Sequence, residues 1–520
     1  VGDHDTAKEV YKQLRKASCR QLREQMARFE QLSPAERLEQ VGLVRAVGVV
    51  FAEGGSVAEQ EEARSWLVGL LKDPQEKIRR YAMNALPKLG AGSREEKAVL
   101  SLLQESKIER EKTYLARALE KIGGEASLAA LQQQDLAAQS EQKLKANIAR
   151  AQAPGLIRSD LRMESIQGIR IYLRCRRGLE QFVVEEVKER SRANPQDAKF
   201  RFRAVRRGLV EIVPVAAFCL EEIFAFRCFA TAGIFIGQIP GDPGGEGEIE
   251  QMAEAITSKL SQSVLEAFTE GQPRYRLNFV KKVPPKSTVR RLAERIYTLR
   301  PSLLNDPRNA LWSIDLYGTS QGISIELRPR LAPDPRLYFR RGEIPAASHP
   351  PLAACMARLG GRRENEVVWD PFCGSGLELI ERALLGGVCK VFGTDHSEHA
   401  LKIARENFGA ANIPLSLEAT FAKCDFRDFN GVPGLGENSV TLLVTNPPLG
   451  KRIPIPNLRG LIEDLFRVAD RVLKPGGRLV FANPLRMGSP IERLKLQSSS
   501  VVDFGGFDCR LEMYRKSGGA

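Results

Sequence analysis

From Glu366 onward, strand-like apolar runs alternate with helix-like segments, and each run closes on a short loop of small or polar residues. VVWDPFCGSG (367–376) leads into LELIERALLGG, and VCKVFGTD (388–395) leads into HSEHALKIARENFG. SLEATFAKCDFRDF (416–429) and SVTLLVTNPPLG (439–450) follow, then the helical GLIEDLFRVADRVL, a KPGG stop, and a last buried run, RLVFANPL (478–485). This alternation confines residues 345–520 to an α/β, Rossmann-like domain with a doubly wound, mostly parallel sheet. Ligands of such sheets sit at the carboxyl ends of the strands.

Those strand ends carry the chemistry. In Asp370-Pro-Phe-Cys-Gly-Ser-Gly376, two glycines let a ligand approach the backbone closely, and the helix behind them offers free N–H groups. Asp395 ends the next strand, 19 residues beyond Gly376, where a carboxylate accepts hydrogen bonds from a ribose diol. A dinucleotide enzyme shares these two features, but the third glycine of its fingerprint is replaced here by Leu379. Asn446-Pro447-Pro448, directly after the apolar run VTLLVT, decides against it. Two prolines make a rigid turn without backbone donors of their own. The Asn446 side-chain oxygen and the Pro447 carbonyl then both accept hydrogen bonds from one amino group, aiming its lone pair at a methyl donor. From these residues alone, guanine N2, adenine N6 and a protein glutamine amide are all compatible acceptors.

The rest of the chain divides in two. Residues 1–155 are rich in helix formers and nearly free of strand-like runs, which predicts an all-α segment. RRYAMNALPKLG (79–90) aligns with KTYLARALEKIG (112–123) at an offset of 33, and IARA (148–151) falls under LARA (115–118) at the same spacing. A period of this size means stacked helix pairs, and DPQEKIRRYAMNALPKLG resembles a HEAT-type repeat. Such a segment is expected to be a contact surface for a protein or a ribosomal particle. Around 152–165 the periodicity lapses and a linker is expected.

Between 166 and 342, strand-like runs (IRIYLRC, GLVEIV, IFIGQI, RYRLNFV, WSIDLYG, GISIELR) alternate with helical ones, predicting an α+β domain. It holds 29 Lys and Arg against 20 Asp and Glu, a balance of +9 out of +14 for the whole chain. That concentration is the footprint of a nucleic-acid surface. Arginines interleave with aromatics in KFRFRAVRR (199–207) and RYRLNFVKK (274–282), which suits phosphate contact with base stacking.

The catalytic motifs also carry a resemblance. DPFCGSG, TD, CDF and TNPPLG resemble the class I S-adenosylmethionine-dependent methyltransferases that modify amino nitrogens. LRCRRGLEQFVVEEVKE (173–189), RRGLVEIV, WSIDLYG, ISIELR and LYFRRG, in that order upstream, resemble a THUMP-type RNA-binding module. Together they are similar to the THUMP-containing RNA guanine-N2 methyltransferases of tRNA and large-subunit rRNA, over residues 166–520. The likeness implies S-adenosylmethionine as cofactor, with Asp370, Cys373, Gly374, Ser375 and Gly376 on its methionine side. It implies Asp395 at the ribose, His396 flanking the adenine, Asp425 on the adenine amino group and Phe426 beside it. Ser348 and Leu352, in RRGEIPAASHPPLAACM (340–356), are implied as a further contact to the cofactor. Asn446, Pro447, Pro448 and Leu449 are the implied catalytic turn. The family places an aromatic where Leu449 stands, so a catalytically silent RNA-binding scaffold is the alternative.

Other tempting residues have plainer readings. His396 and His399 stand three apart like metal ligands but lack partners at ligand spacing, so no metal is expected. Cys373 is read as a small residue chosen for fit, and Trp369 and Phe372 as core. Nine cysteines without a CxxC pair suit a reducing compartment. The most apolar stretch, 212–237, is interrupted by Glu221, Glu222 and Arg227, so no membrane span is expected. Charged residues after Val1 suggest no signal peptide and a cytoplasmic enzyme, or an organelle interior if Val1 is a processing site.

Overall fold

Three helices of the first segment begin with Ser followed three residues later by Gln or Glu, and each of these pairs closes a reciprocal cap: Ser18 with Gln21, Ser33 with Glu36, Ser56 with Glu59. The computed structural model describes residues 11–518 apart from 91, 134–137, 153, 194–197, 243–246, 282, 346 and 451–454. It divides into two compact units, 1–154 and 155–520.

The first unit is helical throughout its described residues, with helices that include Gly42–Gly54, Val57–Gly69, Glu76–Ala85, Ser93–Glu105, Glu109–Ile122 and Ala138–Ala151. The 33-residue offset is a packing register. Ala82, Met83, Ala85 and Leu86 are buried, and so are their counterparts Leu115, Ala116, Ala118 and Leu119. Arg79 binds Glu111, the residue directly before the next copy, at 2.5 Å, so an ion pair joins the two stacked helices.

The second unit holds two large sheets. Strands β1 (Leu156–Ile157), β2 (Arg170–Arg174), β3 (Phe200–Arg206), β4 (Leu209–Pro214), β5 (Thr231–Ile239), β6 (Thr269–Glu270), β7 (Arg274–Val280), β8 (Leu304–Asn305), β9 (Trp312–Thr319) and β10 (Gly322–Pro329) belong to its first half. Eight of them form one sheet in the order β3-β4-β2-β5-β10-β9-β7-β8. The expected linker is therefore shorter than 152–165: β1 pairs antiparallel with β6, and buried Met163 bridges Phe218. The long helical run 249–268 is broken at Thr257, because Ser258 caps a second helix by accepting from the Ser261 N–H at 3.3 Å.

The second half contains β11 (Glu366–Asp370), β12 (Val388–Asp395), β13 (Glu418–Lys423), β14 (Val440–Thr445), β15 (Leu473–Asn483), β16 (Leu494–Asp503) and β17 (Asp508–Lys516), in the order β13-β12-β11-β14-β15-β17-β16. The first five strands of that order run parallel, and β17 and β16 are antiparallel additions at the edge. Four helices matter below: α1 (Glu180–Ala193), α2 (Pro350–Leu359), α3 (Leu377–Leu384) and α4 (Glu398–Ala410). The chain winds outward from β11 to β13 and then returns to β14 on the other side of β11. The loops after β11 and β14 therefore lie side by side at the switch point, where such sheets bind ligands.

The two halves share a continuous core, which runs from Ile171 and Phe229 through Leu352 and Met356 to Val444 and Leu511. Polar contacts pin them, three of which stand out. Arg227 chelates Glu381 of α3 with two 2.7 Å bonds, Arg358 of α2 reaches Glu186 of α1 at 3.1 Å, and the Asp503 N–H donates to the Arg177 carbonyl at 2.9 Å. At the last contact Gly178 (φ +92°) lies so close to β16 that a Cβ would stand 2.1 Å from the Val501 carbonyl.

Candidate active site

β11 delivers Asp370 to the switch point. Its Oδ1 accepts from Thr445 Oγ at 2.6 Å and from the Phe372 N–H at 3.0 Å, so the ends of β11 and β14 are tied through one carboxylate. Its Oδ2 is buried without a partner among the described residues. Burial, and then the neighbouring Glu378 charge, push the Asp370 carboxyl well above its usual range. Glu378, on the first turn of α3, is itself buried and raised for the same first reason.

The loop that follows is a tight cradle. Gly374 and Gly376 adopt φ of +52° and +81°, and the Gly376 N–H returns to the Cys373 carbonyl at 2.7 Å. Asp395, at the end of β12, accepts from the Gly374 N–H at 3.0 Å and from the Ser397 N–H at 2.9 Å. Each carboxylate oxygen keeps further lone pairs after these bonds, so Asp395 shapes the loop and still has capacity for a diol. Asn407 of α4 holds Ser375 by donating to its carbonyl at 3.1 Å, and accepts from the Arg341 N–H at 2.7 Å. Cys373 is 1% exposed, and burial followed by the Asp370 charge raises its thiol, which makes it a packing residue rather than a nucleophile.

β14 delivers Asn446. Its Nδ2 donates to Ser348 Oγ at 2.8 Å, and Ser348 Oγ donates in turn to Glu378 Oε1. Asn446 Oδ1 is buried and has no partner among the described residues. Pro447 is buried and Pro448 half-buried, as a turn without donors permits. Leu449 packs against the core instead of standing free as a ring platform would.

Around the far end, Asp425 accepts from the Arg427 N–H at 2.9 Å and pairs with the Arg427 side chain at 3.1 Å. His396 Nε2 lies 3.8 Å from Asp425, with its side chain 66% exposed. Phe426 is buried against Phe372, ring centroids 4.9 Å apart. The structure thus gathers Ser348, Asp370, Cys373 to Gly376, Asp395 and Asn446 into one set linked by hydrogen bonds and burial, and His396, Asp425 and Phe426 into a second along the same strand ends. Leu352 is left only its backbone for the expected contact to the cofactor. It sits in α2 at 1% exposure within the core, so its side chain presents no surface to a ligand.

Sequence reasoning missed Glu378, Thr445 and Asn407. Glu378 had a signal, an acid in the first turn directly behind a glycine loop, but nothing local showed that Ser348 would be folded back onto it from thirty residues upstream.

The second aromatic-basic run is corrected as well. In β7, Tyr275 and Phe279 face the core and buried Arg274 pairs with Asp306 at 2.8 Å, so this run offers no stacking surface, while Lys282 lies outside the described residues. In β3 and the turn after it, Phe200 is core and Phe202 half-buried, whereas Arg201, Arg203, Arg206 and Arg207 are exposed. What this run presents to solvent is arginine side chains suited to phosphate, not fully exposed rings suited to stacking. Among the described residues no metal-ligating cluster occurs, and no helix is long and apolar enough to cross a membrane.

Residues 338–488 match the model of the RMKL-like methyltransferase domain. A probable tRNA (guanine(10)-N2)-dimethyltransferase of Methanothermococcus thermolithotrophicus is 30% identical over 148 residues, which are 28% of this chain and 86% of the relative. The tRNA (guanine(10)-N2)-dimethyltransferase of Methanocaldococcus jannaschii is 30% identical over 160 residues, 30% of this chain and 43% of its own length. The chain therefore spans most of the first relative and less than half of the second. In fold, the crystal structure of TrmN from Thermus thermophilus superposes with a TM-score of 0.50 at 22% identity, covering 67% of this chain and 99% of that one. A site with partnerless buried carboxylate oxygen suits a ligand that carries positive charge, as S-adenosylmethionine does. The chain belongs to the RMKL-like methyltransferase domain family and is an S-adenosylmethionine-dependent methyltransferase.

Proposed function

We propose that the chain methylates an exocyclic amino nitrogen of RNA, guanine N2 of a tRNA or an rRNA. The observation that carries this reading is Asn446 Oδ1, a buried acceptor left without a partner at the strand end beside the glycine loop. A buried unmet acceptor is costly, and an amino group is the donor that satisfies it. S-adenosylmethionine supplies the electrophilic methyl group when bound. Asp370 would face its ammonium, the Cys373–Gly376 loop its methionine portion, Asp395 its ribose, and His396, Asp425 and Phe426 its adenine. Asn446 Oδ1 and the Pro447 carbonyl orient the amino group and stabilise the positive charge that develops on its nitrogen. Guanine N2 is supported by the names of the relatives. RNA is supported by them and by the exposed arginines of β3.

In this reading residues 166–342 are a THUMP-like RNA grip, and the helical unit, HEAT-like in its 33-residue register, docks a protein or ribosomal particle. Extruding the target base costs a few kcal/mol, which distributed phosphate contacts offset. Mass spectrometry of nucleosides from a strain lacking the protein tests the assignment. Loss of N2-methylguanosine, restored by the wild type and not by Asn446→Ala, is expected. Unchanged N2-methylguanosine with altered N6-methyladenosine overturns the guanine assignment, and no altered nucleoside at all supports the scaffold reading that Leu449 raises.

A further inference from the structure

We infer that Ser348, held by the buried Glu378 carboxylate, is a positioning residue that fixes which end of the Asn446 amide faces the acceptor nitrogen. The inference rests on methyl transfer to an amino group at Asn446 and goes beyond it by explaining how a symmetric-looking amide is kept in one orientation.

The argument is an inventory of protons. An asparagine side chain has an acceptor end and a donor end of nearly the same shape, and a half-turn about its last bond exchanges them. Only the oxygen end can receive an N–H from an amino group. With the nitrogen end inward, two donors would face each other. The turn Asn446-Pro447-Pro448 contributes no backbone N–H from its prolines to sort the two states. Ser348 does the sorting. A hydroxyl has one hydrogen and two lone pairs. Glu378 Oε1 takes that hydrogen, because an ionised carboxylate has none to give. Ser348 Oγ is left as an acceptor only, so it engages Asn446 through Nδ2, at 2.8 Å, and turns Oδ1 toward the site. The partnerless state of Oδ1 is the outcome.

The three residues come from three separate stretches: the segment before α2, the first turn of α3, and the end of β14. Glu378 is 3% exposed and makes no ion pair among the described residues, so holding it ionised costs desolvation free energy. That cost is explained if the carboxylate's acceptor-only character is what the site requires. A hydroxyl holding the cofactor instead, the role implied from sequence, would leave Asn446 unsorted.

The test uses the full chain. Selective 15N-asparagine labelling follows the Asn446 side-chain amide, assigned by its disappearance in Asn446→Asp, and calorimetry measures the S-adenosylmethionine Kd in parallel. In Ser348→Ala the Asn446 amide hydrogens should exchange with solvent at least tenfold faster. kcat should fall about 100-fold, the scale of losing one preorganised hydrogen-bond partner, with the S-adenosylmethionine Kd within twofold of wild type. Ser348→Thr, which keeps the hydroxyl, should restore both readouts. Glu378→Gln, which offers Ser348 both a donor and an acceptor, should fall between. Unchanged exchange and kcat in Ser348→Ala, or a loss that appears chiefly as a weaker S-adenosylmethionine Kd, overturns the inference. If the wild type methylates no amino nitrogen and the exchange pattern still follows the variants, the positioning stands and the proposed function alone falls.

Discussion

Replacing Asp370 by Asn should make the chain more stable and worse at its work, and the gain should depend on pH in a calculable way. Asn keeps an oxygen for Thr445 Oγ and the Phe372 N–H, and changes only the partnerless Oδ2 position. The Asp370 carboxyl is raised above its free value of 3.8, so between 3.8 and its native pKa the folded chain holds a proton that the unfolded chain has released. Stability contributed by that proton is full below the free value. It is lost as pH rises, at about 1.4 kcal/mol per pH unit, until the native pKa is passed. The Asn variant has no such slope. Its melting temperature should match wild type near pH 4 and rise above it as pH increases, by about 2–4 °C for each kcal/mol in a 150–250-residue domain and by less in this larger unit. The transition that S-adenosylmethionine shifts identifies the relevant unit in a thermal melt. Calorimetry at pH 8 should show its affinity down at least tenfold, because an amide N–H replaces the oxygen that meets the ligand's positive charge. Parallel melting of the two proteins at every pH, or unchanged affinity, would refute the reasoning.

Asn446→Ala should reduce methyl transfer about 10²–10³-fold, measured with tritiated cofactor, while the S-adenosylmethionine Kd stays within twofold. Arg227→Ala strands fully buried Glu381 and should cost about 3 kcal/mol in urea unfolding of the second unit, and a loss below 0.5 kcal/mol would contradict its role. Replacing Arg201, Arg206 and Arg207 together by Ala should weaken RNA binding and flatten its log Kd against log salt slope by about 2–3. Deleting residues 1–155 should leave the S-adenosylmethionine affinity intact and lower affinity for ribosomal particles in a pelleting assay.

The catalytic sheet was legible because three of its parallel strands, β11, β12 and β14, are apolar runs whose ends carry the chemistry: Asp370, Asp395, Thr445 before Asn446. What stayed hidden depends on contacts between distant stretches. LKLQSSSVVD is too polar to announce itself as a strand, and it becomes β16 because β17 pairs with it and Gly178 seats against it. Tyr275 and Phe279 look in sequence like surface aromatics among arginines. Period-two alternation is compatible with either face of a strand, and only the sheet shows that the rings point inward. Glu378 and Ser348 are ordinary residues thirty positions apart until the loop after β11 brings them together.

The shared core and the contacts at Glu381, Arg358 and Gly178 tie the arginine edge of β3 and the Asn446 turn into one packed body. Packed in this way, the second unit is built like a caliper. Under the proposed function, a nucleotide is chosen by its distance from the gripped stretch of RNA, a property of the folded RNA's shape that no single base carries.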